Sequence, residues 1–321
     1  MKIWCNGDFG AEGMQLLREG TRSHTLVLSE RLNSSVLAGG QSDPTMVGAD
    51  VAFGQPDVED CLANKTLRWI EVSSAGYTRY DTTAFREAIR ARGSLFTNAS
   101  QVYADPCAEH VLAMMLALAR QILPSFATQN GDRAWPYTER RSHSYLIRGQ
   151  TVVMLGFGAI GRRLAELLAP FGMRVYAIRR QLRSEPGVRV VSEENMTKVL
   201  AEADHVVNVL PENEETRNYV NARRISCFKP GARFYNVGRG NTVDQNALME
   251  GLQTGRIGAA YLDVMVPEPL PPSSPLWSAP NCFITPHTAG GRNNSETELV
   301  RHFLANLVNF ENGTAMVDRI L

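Results

Sequence analysis

The feature that most constrains the fold is an apolar segment, 151–155 (TVVML), that runs directly into the glycine-rich turn GFGAIG at 156–161. Helix-forming residues follow at once, from Arg162 to Ala169. A strand, a G-x-G-x-x-G turn and a helix in this order are typical of dinucleotide binding. The glycines allow a tight turn, close approach to a pyrophosphate and close helix packing, and the helix N-terminus adds free N–H groups. We therefore predict that Gly156, Gly158 and Gly161 form a dinucleotide-binding turn.

The following strand, 173–178, ends in Arg179 and Arg180. An NAD site normally has an acidic residue about 20 residues after the fingerprint, where it accepts hydrogen bonds from the ribose 2′-hydroxyl. Arg179 stands 18 residues after Gly161, and we expect no carboxylate near it. Guanidinium groups bind a 2′-phosphate through charge-assisted hydrogen bonds. The sequence thus favours NADP over NAD, the alternative being that these arginines belong to a solvated loop.

The composition limits the class of protein. With 321 residues, two domains are expected, and 33 basic against 33 acidic residues give no reason to expect nucleic acid or an anionic membrane as partner. The five cysteines are scattered without a C-x-x-C pair, which favours reduced thiols in a cytoplasmic enzyme over disulfides or a metal site. We find neither a signal peptide at the start nor an apolar run of ~18 residues that could span a membrane.

Strand-like and helix-like segments alternate along the chain, which predicts parallel sheets covered by helices. Five short strands are expected in the first hundred residues, and six more between 152 and 285. A helix is expected from about Asp105 to Leu123, and a polar segment, 129–148, is interpreted as a loop. The fold class is α/β, with two doubly wound domains. Residues 100–287 form a dinucleotide-binding Rossmann domain, inserted into a flavodoxin-like substrate domain made of 1–99 and 288–321.

Three side chains stand just beyond the last strands expected between 152 and 285. They are Arg239 in NVGRG, Glu268 in LDVMVPEPL, and His287 in TPHTAG. Reduction of a ketone develops negative charge on oxygen and requires a proton donor. Histidine titrates near neutral pH, a carboxylate can fix its tautomer, and arginine can bind both a carboxylate and a carbonyl. Taken singly, each is more often an ordinary turn or loop residue. Together they predict an active site over the cofactor.

These motifs, in this order over essentially the whole chain, resemble those of the D-isomer-specific 2-hydroxyacid dehydrogenase family. The resemblance implies that His287 is the acid/base, Glu268 its partner, and Arg239 the group that binds the 2-oxo acid. It also implies that backbone amides at Ser74, Ala75 and Gly76 bind the substrate carboxylate. Further cofactor contacts are implied at Phe157, Ala159, Ile160, Leu210, Pro211, Thr216, Val237, Gly238, Asp263, Ala289 and Gly290. Members are usually cytoplasmic homodimers joined through their cofactor domains.

The chain also departs from the family pattern. Gln101 and Tyr103 stand where a glycine and an asparagine are common, and Cys107 where a valine is common, so their role is left open. His110 matches a family feature and is interpreted as structural, in a helix–helix contact. Formate-oxidising relatives have a glutamine at the position of Glu268, which argues against formate as substrate.

The resulting hypothesis is an oxidoreductase that reduces a 2-oxo acid, such as glyoxylate, hydroxypyruvate or a larger acid, to the (R)-2-hydroxy acid with NADPH. An alternative from another class is a nucleotide-sensing, corepressor-like binding protein of the same fold. A site for adenosyl-methionine is disfavoured, because no acidic residue follows the second strand and the Arg239, Glu268 and His287 set is present.

Overall fold

A computed structural model describes residues 1–33, 35 and 38–321 and divides the chain into two compact units. The first unit consists of Met1–Tyr103 together with Gly291–Leu321, and the second is Ala104–Gly290. The chain therefore leaves the first unit, completes the second and returns to the first. The boundaries lie a few residues after the positions 99 and 287 given by the sequence.

Short, mostly apolar strands form the sheets. In chain order they are β1 (Lys2–Gly7), β2 (Thr25–Asn33), β3 (Val51–Gly54), β4 (Trp69–Val72), β5 (Leu95–Thr97), β6 (Thr151–Leu155), β7 (Arg174–Ile178), β8 (Val188–Val191), β9 (His205–Asn208), β10 (Ala232–Asn236), β11 (Ile257–Leu262) and β12 (Cys282–Ile284).

The α-helices lie mostly between the strands. In chain order they are α1 (Gly10–Gly20), α2 (Val58–Ala63), α3 (Thr83–Arg92), α4 (Ala104–Ala119), α5 (Ile122–Asn130), α6 (Tyr137–His143), α7 (Ala159–Leu168), α8 (Met196–Leu200), α9 (Ala222–Ile225), α10 (Gln245–Gln253) and α11 (Ser295–Asn312).

The first unit is built on a five-stranded parallel sheet of order β2-β1-β3-β4-β5. β3 and β4 are buried along their whole length, as expected for a parallel sheet covered on both faces. A stack of aromatic rings joins the sheet to α11. The ring of Phe303 lies 4.1 Å from that of Phe53 and 5.1 Å from that of Trp69, centroid to centroid. This strand order is that of flavodoxin-like folds.

The second unit is built on a seven-stranded parallel sheet of order β12-β11-β10-β9-β6-β7-β8. β6 pairs with β7 on one side and with β9 on the other, so the strand order reverses next to β6. This is the Rossmann arrangement, in which a dinucleotide binds beyond the carboxyl ends of the strands at that reversal. The prediction of a Rossmann domain inserted into a flavodoxin-like domain is confirmed.

The structure corrects three local predictions in the second unit. The sheet has seven strands rather than six, because Val188–Val191 pairs with β7. The segment 129–148 is not simply a loop, since α6 lies within it. The helix expected to run to Leu123 breaks at Gln121, which has φ = +57°, and resumes as α5.

Among the described residues, no single helix is long and apolar enough to cross a membrane, although α4 and α5 taken together, bent by 72°, pass on length and composition.

Candidate active site

The glycine turn lies between β6 and α7, where the strand order of the second sheet reverses. Gly156 has φ = +87°, a left-handed conformation that glycine adopts without strain, and its N–H donates to the carbonyl of Ile178. A Cβ atom at Gly158 would meet nothing within 4 Å, so the backbone there is open to approach. α7 begins at Ala159 without a side-chain cap, which leaves its first N–H groups to a phosphate. These residues fit the pyrophosphate of a dinucleotide.

The other residues expected at the cofactor lie on the same edge of the sheet. Leu210 and Pro211 follow β9, and the hydroxyl of Thr216 donates to the carbonyl of Pro211 at 2.7 Å. Val237 and Gly238 follow β10, and the N–H of Val237 donates to the carbonyl of Asn208 at the end of β9. Phe157 is buried, and Ile160 lies in the first turn of α7. The ends of β6, β9 and β10 thus bring these positions together.

Arg179 and Arg180 follow β7, but they differ in their surroundings. Arg179 Nη1 donates to Glu185 Oε1 at 2.7 Å, and Arg162 on α7 donates to both oxygens of that carboxylate, at 2.9 and 3.2 Å. These bonds, first of all those from Arg162, hold the pKa of Glu185 below its ordinary value. The side chain of Arg180 is 78 % exposed and pairs with Glu215.

The expectation that no carboxylate lies near Arg179 is therefore wrong. Glu185 stands six residues downstream in the sequence, and the chain turns back between Glu185 and Val188. This turn returns the carboxylate to the end of β7. The exposed Arg180 fits the description of a solvated residue, whereas Arg179, only 16 % exposed, does not.

Asp263 holds the turn that carries His287. The carboxylate of Asp263 accepts hydrogen bonds from the hydroxyl of Thr285 (2.6 Å) and from the N–H groups of Thr288 (2.8 Å) and Ala289 (3.0 Å). The N–H of His287 donates to the backbone carbonyl of Asp263 at 2.9 Å. With this support His287 keeps φ = +54°, a conformation uncommon for a residue with a side chain. Asp263, Ala289 and His287 are thus parts of one arrangement.

His287 and Glu268 form a close pair. His287 Nδ1 lies 2.7 Å from Glu268 Oε2, and Glu268 Oε1 accepts the N–H of Met265 at 2.9 Å. Burial alone raises the pKa of Glu268. The hydrogen bonds from His287 and Met265, together with the charges of His287 and Arg239, outweigh burial and lower it below the ordinary value. An ionised Glu268 fixes the hydrogen on Nδ1 of His287.

Arg239 lies close enough to influence this pair. It follows β10, and its Nη1 donates to the carbonyl of Gly238 at 2.7 Å. Its charge is one of the causes that lower the pKa of Glu268. The structure therefore brings Arg239, Glu268 and His287 together beyond the carboxyl ends of the strands of the second sheet, the end at which the glycine turn lies. Among the described residues, no group of three or more His, Cys, Asp or Glu side chains is arranged to hold a metal ion.

Ser74, Ala75 and Gly76 belong to the first unit, where they follow β4. Among the described residues, their backbone N–H groups donate to no carbonyl or side chain. The carboxamide of Gln55 donates to the hydroxyls of Ser73 (3.2 Å) and Ser74 (3.1 Å), and the hydroxyl of Ser74 donates to the carbonyl of Gly76 (2.6 Å). The loop therefore presents several unpaired N–H donors, which suit an anion.

The positions that depart from the family pattern have defined contacts. The hydroxyl of Tyr103 donates to the carbonyl of Ser73 at 2.8 Å, and the N–H of Gln101 donates to Asp318 Oδ2 at 2.7 Å. Cys107 is buried, which raises the pKa of its thiol to about 12. His110 stacks on the ring of Tyr261, on β11, with 5.3 Å between the ring centroids.

Sequence reasoning missed two residues that contact predicted site residues, Gln55 in the first unit and Glu185 in the second. Gln55 stands between Gly54 and Pro56 directly after β3, next to the strand that leads into the substrate loop. A polar residue at the end of a buried strand is a signal that could have identified it. Glu185 could have been found only from the turn that follows it.

The chain is similar to known proteins over most of its length. Residues 112–289 match the family model described as D-isomer specific 2-hydroxyacid dehydrogenase, NAD binding domain. A glyoxylate reductase of Korarchaeum cryptofilum is 31% identical over 262 residues, which cover 80% of this chain and 77% of that protein. A glyoxylate/hydroxypyruvate reductase B of an Enterobacter species is 29% identical, over 90% of this chain and 89% of the relative.

A solved structure extends this likeness to three dimensions. The D-isomer specific 2-hydroxyacid dehydrogenase of Xanthobacter autotrophicus Py2, in complex with NADPH and MES, superposes with a TM-score of 0.82 and 26% identity, covering 100% of this chain and 98% of the other. The chain therefore belongs to the D-isomer specific 2-hydroxyacid dehydrogenase family and is an oxidoreductase that uses a nicotinamide cofactor with small 2-oxo or 2-hydroxy acids.

Proposed function

We propose that the protein reduces a 2-oxo acid to the (R)-2-hydroxy acid with NADPH. The observation that carries this proposal is the 2.7 Å pair of His287 and Glu268, with the charge of Arg239 beside it, at the edge of the sheet that bears the glycine turn. Carbonyl reduction needs a proton donor and a positive partner for the charge that develops on oxygen. The pair and the guanidinium provide both.

When bound, the reduced nicotinamide supplies a hydride to the carbonyl carbon of the substrate. His287 donates the proton that converts the carbonyl oxygen into the hydroxyl group, and it does so from Nε2, because Nδ1 is engaged by Glu268. The carboxylate of Glu268 stabilises the protonated imidazole before the transfer. Arg239 stays cationic throughout and binds the carboxylate and the carbonyl oxygen of the substrate.

Ser74, Ala75 and Gly76 of the first unit provide backbone donors for the substrate in this proposal. Their N–H groups, which have no partner among the described residues, bind the substrate carboxylate. Several backbone N–H groups in succession form a concave site for an anion without adding a competing positive side chain. The carboxylate is thereby recognised in the first unit.

The cofactor preference rests on Arg179, assisted by Arg180. A 2′-phosphate carries about −1.5 to −2 charge and three acceptor oxygens, so it competes strongly with the single carboxylate of Glu185 for Arg179. We expect Arg179→Asp to shift the ratio of kcat/KM for NADPH over NADH toward NADH by at least about tenfold, the equivalent of one lost charged contact. Arg189→Asp, the same charge change on β8, is the control and should leave the ratio unchanged. Unchanged selectivity in Arg179→Asp contradicts the assignment.

The substrate is identified with a panel of 2-oxo acids. We expect oxidation of NADPH with glyoxylate, hydroxypyruvate or a phenylpyruvate-like acid, measured by the loss of absorbance of the reduced nicotinamide. The relatives named as glyoxylate or hydroxypyruvate reductases support the first two. Binding of NADPH without turnover across the panel would instead favour a nucleotide-sensing protein.

We also propose a cytoplasmic homodimer joined through the second unit. Its surface carries large exposed apolar side chains on and between α5 and α6: Phe126 is 63 % exposed, Trp135 89 % and Tyr137 61 %. Exposed large apolar side chains, where they cluster, are typical of protein interfaces. The cysteines are free thiols, which suits a reducing compartment. Light scattering gives the mass in solution, and a monomer at micromolar concentration would contradict the dimer.

A further inference from the structure

The substrate loop of the first unit, Ser73–Gly76, is held by one segment of chain, 98–103. Three successive carbonyls of the loop each accept a hydrogen bond from that segment. The bonds run from Tyr103 Oη to the carbonyl of Ser73 (2.8 Å), from the N–H of Ala99 to that of Ser74 (3.1 Å), and from Asn98 Nδ2 to that of Ala75 (2.7 Å).

These bonds determine where the N–H groups of the loop point. In a planar trans peptide the carbonyl of one residue and the N–H of the next lie on opposite sides of the same unit. Fixing the carbonyls of residues 73, 74 and 75 therefore fixes the amides of Ser74, Ala75 and Gly76, which point away from the segment. Among the described residues these amides donate to no other group.

The segment 98–103 is itself anchored to the C-terminal part of the unit. The N–H of Gln101 donates to Asp318 Oδ2 at 2.7 Å, and the N–H of Asn98 donates to the backbone carbonyl of Asp318 at 3.2 Å. Asp318 is also within 3.2 Å of His302 Nε2 on α11. The segment that carries these donors is thus fixed by Asp318. Loss of one donor therefore frees a loop carbonyl and does not move the whole segment.

We propose that Asn98 and Tyr103 are positioning residues that aim the loop amides at the substrate carboxylate. They do not touch the reacting atoms. Their removal should therefore weaken binding of the acid and leave the hydride-transfer step nearly unchanged. The inference rests on the proposed function, because it assumes that the loop binds the carboxylate.

The test uses the full-length protein saturated with NADPH. Tyr103→Phe removes one hydroxyl, and Asn98→Asp replaces the donor to Ala75 by an oxygen of the same size. We expect KM for the best 2-oxo acid to rise about threefold to tenfold in Tyr103→Phe, the equivalent of one neutral hydrogen bond, and at least tenfold in Asn98→Asp. In both variants kcat should change less than twofold, and KM for the ethyl ester of the same acid should not change.

Ser94→Ala is the matched control. It also deletes a buried hydroxyl that donates to a backbone carbonyl, that of Leu67 at 2.7 Å, but at the opposite ends of β4 and β5. It should lower the melting temperature without raising KM for the acid. If the loop variants behave like Ser94→Ala, with lower stability and an unchanged KM, the two residues are merely structural and the inference is overturned.

The proposed function and the inference fail in different ways. If the wild-type protein turns over no 2-oxo acid, the proposed function fails, and the loop is then tested with oxalate as a non-reacting probe by calorimetry. A Kd for oxalate that is raised in Tyr103→Phe but not in Ser94→Ala still supports positioning of the amides. An equal Kd in both, or no oxalate binding by the wild type, overturns it.

Discussion

Two loops of the molecule use backbone hydrogen bonds in opposite ways. In the Thr285–Gly290 turn the N–H groups are engaged, since those of His287, Thr288 and Ala289 all donate to Asp263. In the Ser73–Gly76 loop the carbonyls are engaged, and the N–H groups of Ser74, Ala75 and Gly76 are left unpaired among the described residues. The first loop therefore presents a side chain, and the second presents backbone donors. The chemistry that a loop can offer therefore depends on which of its backbone groups already form hydrogen bonds.

The largest expected effect comes from removing the side chain that the first loop presents. His287→Ala should lower kcat by about 10²- to 10⁴-fold, the usual contribution of a positioned general acid, while Kd for NADPH changes less than threefold. Steady-state kinetics and cofactor fluorescence titration measure the two quantities. His143→Ala, on exposed α6, is the control. A loss of cofactor affinity as large as the loss of rate would mean that the turn, rather than the side chain, had been damaged.

The next largest effect is expected from a change of Glu268, the partner of His287. Glu268→Gln should lower kcat about tenfold to a hundredfold at neutral pH, because it replaces a hydrogen bond to a charged group. The pKa of Glu268 lies below its ordinary 4.5, so its contribution is present above pH 4.5 and is lost as pH falls through the lowered value. The rate ratio of wild type to variant should therefore be larger at neutral pH than below pH 4.5, where it should shrink. A ratio that does not shrink there contradicts the role of the carboxylate.

A smaller effect is expected when the amides of the Thr285–Gly290 turn lose Asp263 as their acceptor. Asp263→Asn turns one acceptor atom into a donor facing an N–H group, so we expect a loss of about 1–3 kcal/mol in the free energy of unfolding and roughly a tenfold lower kcat. Asp244→Asn is the matched control, because Asp244 caps α10 and asparagine caps helices equally well. Equal effects of the two substitutions would show that the support of the His287 turn has no special importance.

The smallest effect concerns stability, and it arises at His302, which contacts the Asp318 anchor of the Ser73–Gly76 loop. Burial lowers the pKa of His302, but its contacts with Asp318 and Glu71 outweigh burial and raise it to about 9. A raised histidine pKa contributes stability fully below pH 6.5, and this contribution is lost as pH rises through about 9. We expect the melting temperature of the wild type to fall by a few degrees between pH 7 and 9.5. His302→Gln should show a lower melting temperature at pH 7 and little further decrease; a parallel decrease in both proteins contradicts the assignment.

The sequence predicted those parts of the molecule that depend on local order. A strand, the turn at Gly156 and a helix follow one another directly, and parallel strands bring Arg239 and His287 to one edge whatever the loop details are. α6 was missed because its polar sequence, YTERRSH, has no apolar period and the helix buries no residue. β8 was missed because it is an edge strand of four residues.

The contacts that orient the loops could not be predicted, because they depend on which distant backbone groups meet. Tyr103 reaches the carbonyl of Ser73, thirty residues away in the chain, and no feature near either residue indicates the pair. Glu185 reaches Arg179 because of a turn whose direction the sequence leaves open. Residue type predicts what a side chain can do, whereas tertiary structure decides which partner it finds.

The discontinuity of the first unit has a consequence for synthesis of the protein. β1 to β5 leave the ribosome first, but their sheet packs against α11, and Phe96 of β5 pairs with Ile320 and Leu321. α11 and these last residues are made only after the whole second unit. Since domains generally fold as units during translation, the cofactor unit can reach its native state while the first sheet still lacks its aromatic partner Phe303. Slow elongation after residue 290 would prolong the exposure of that apolar face to chaperones and proteases.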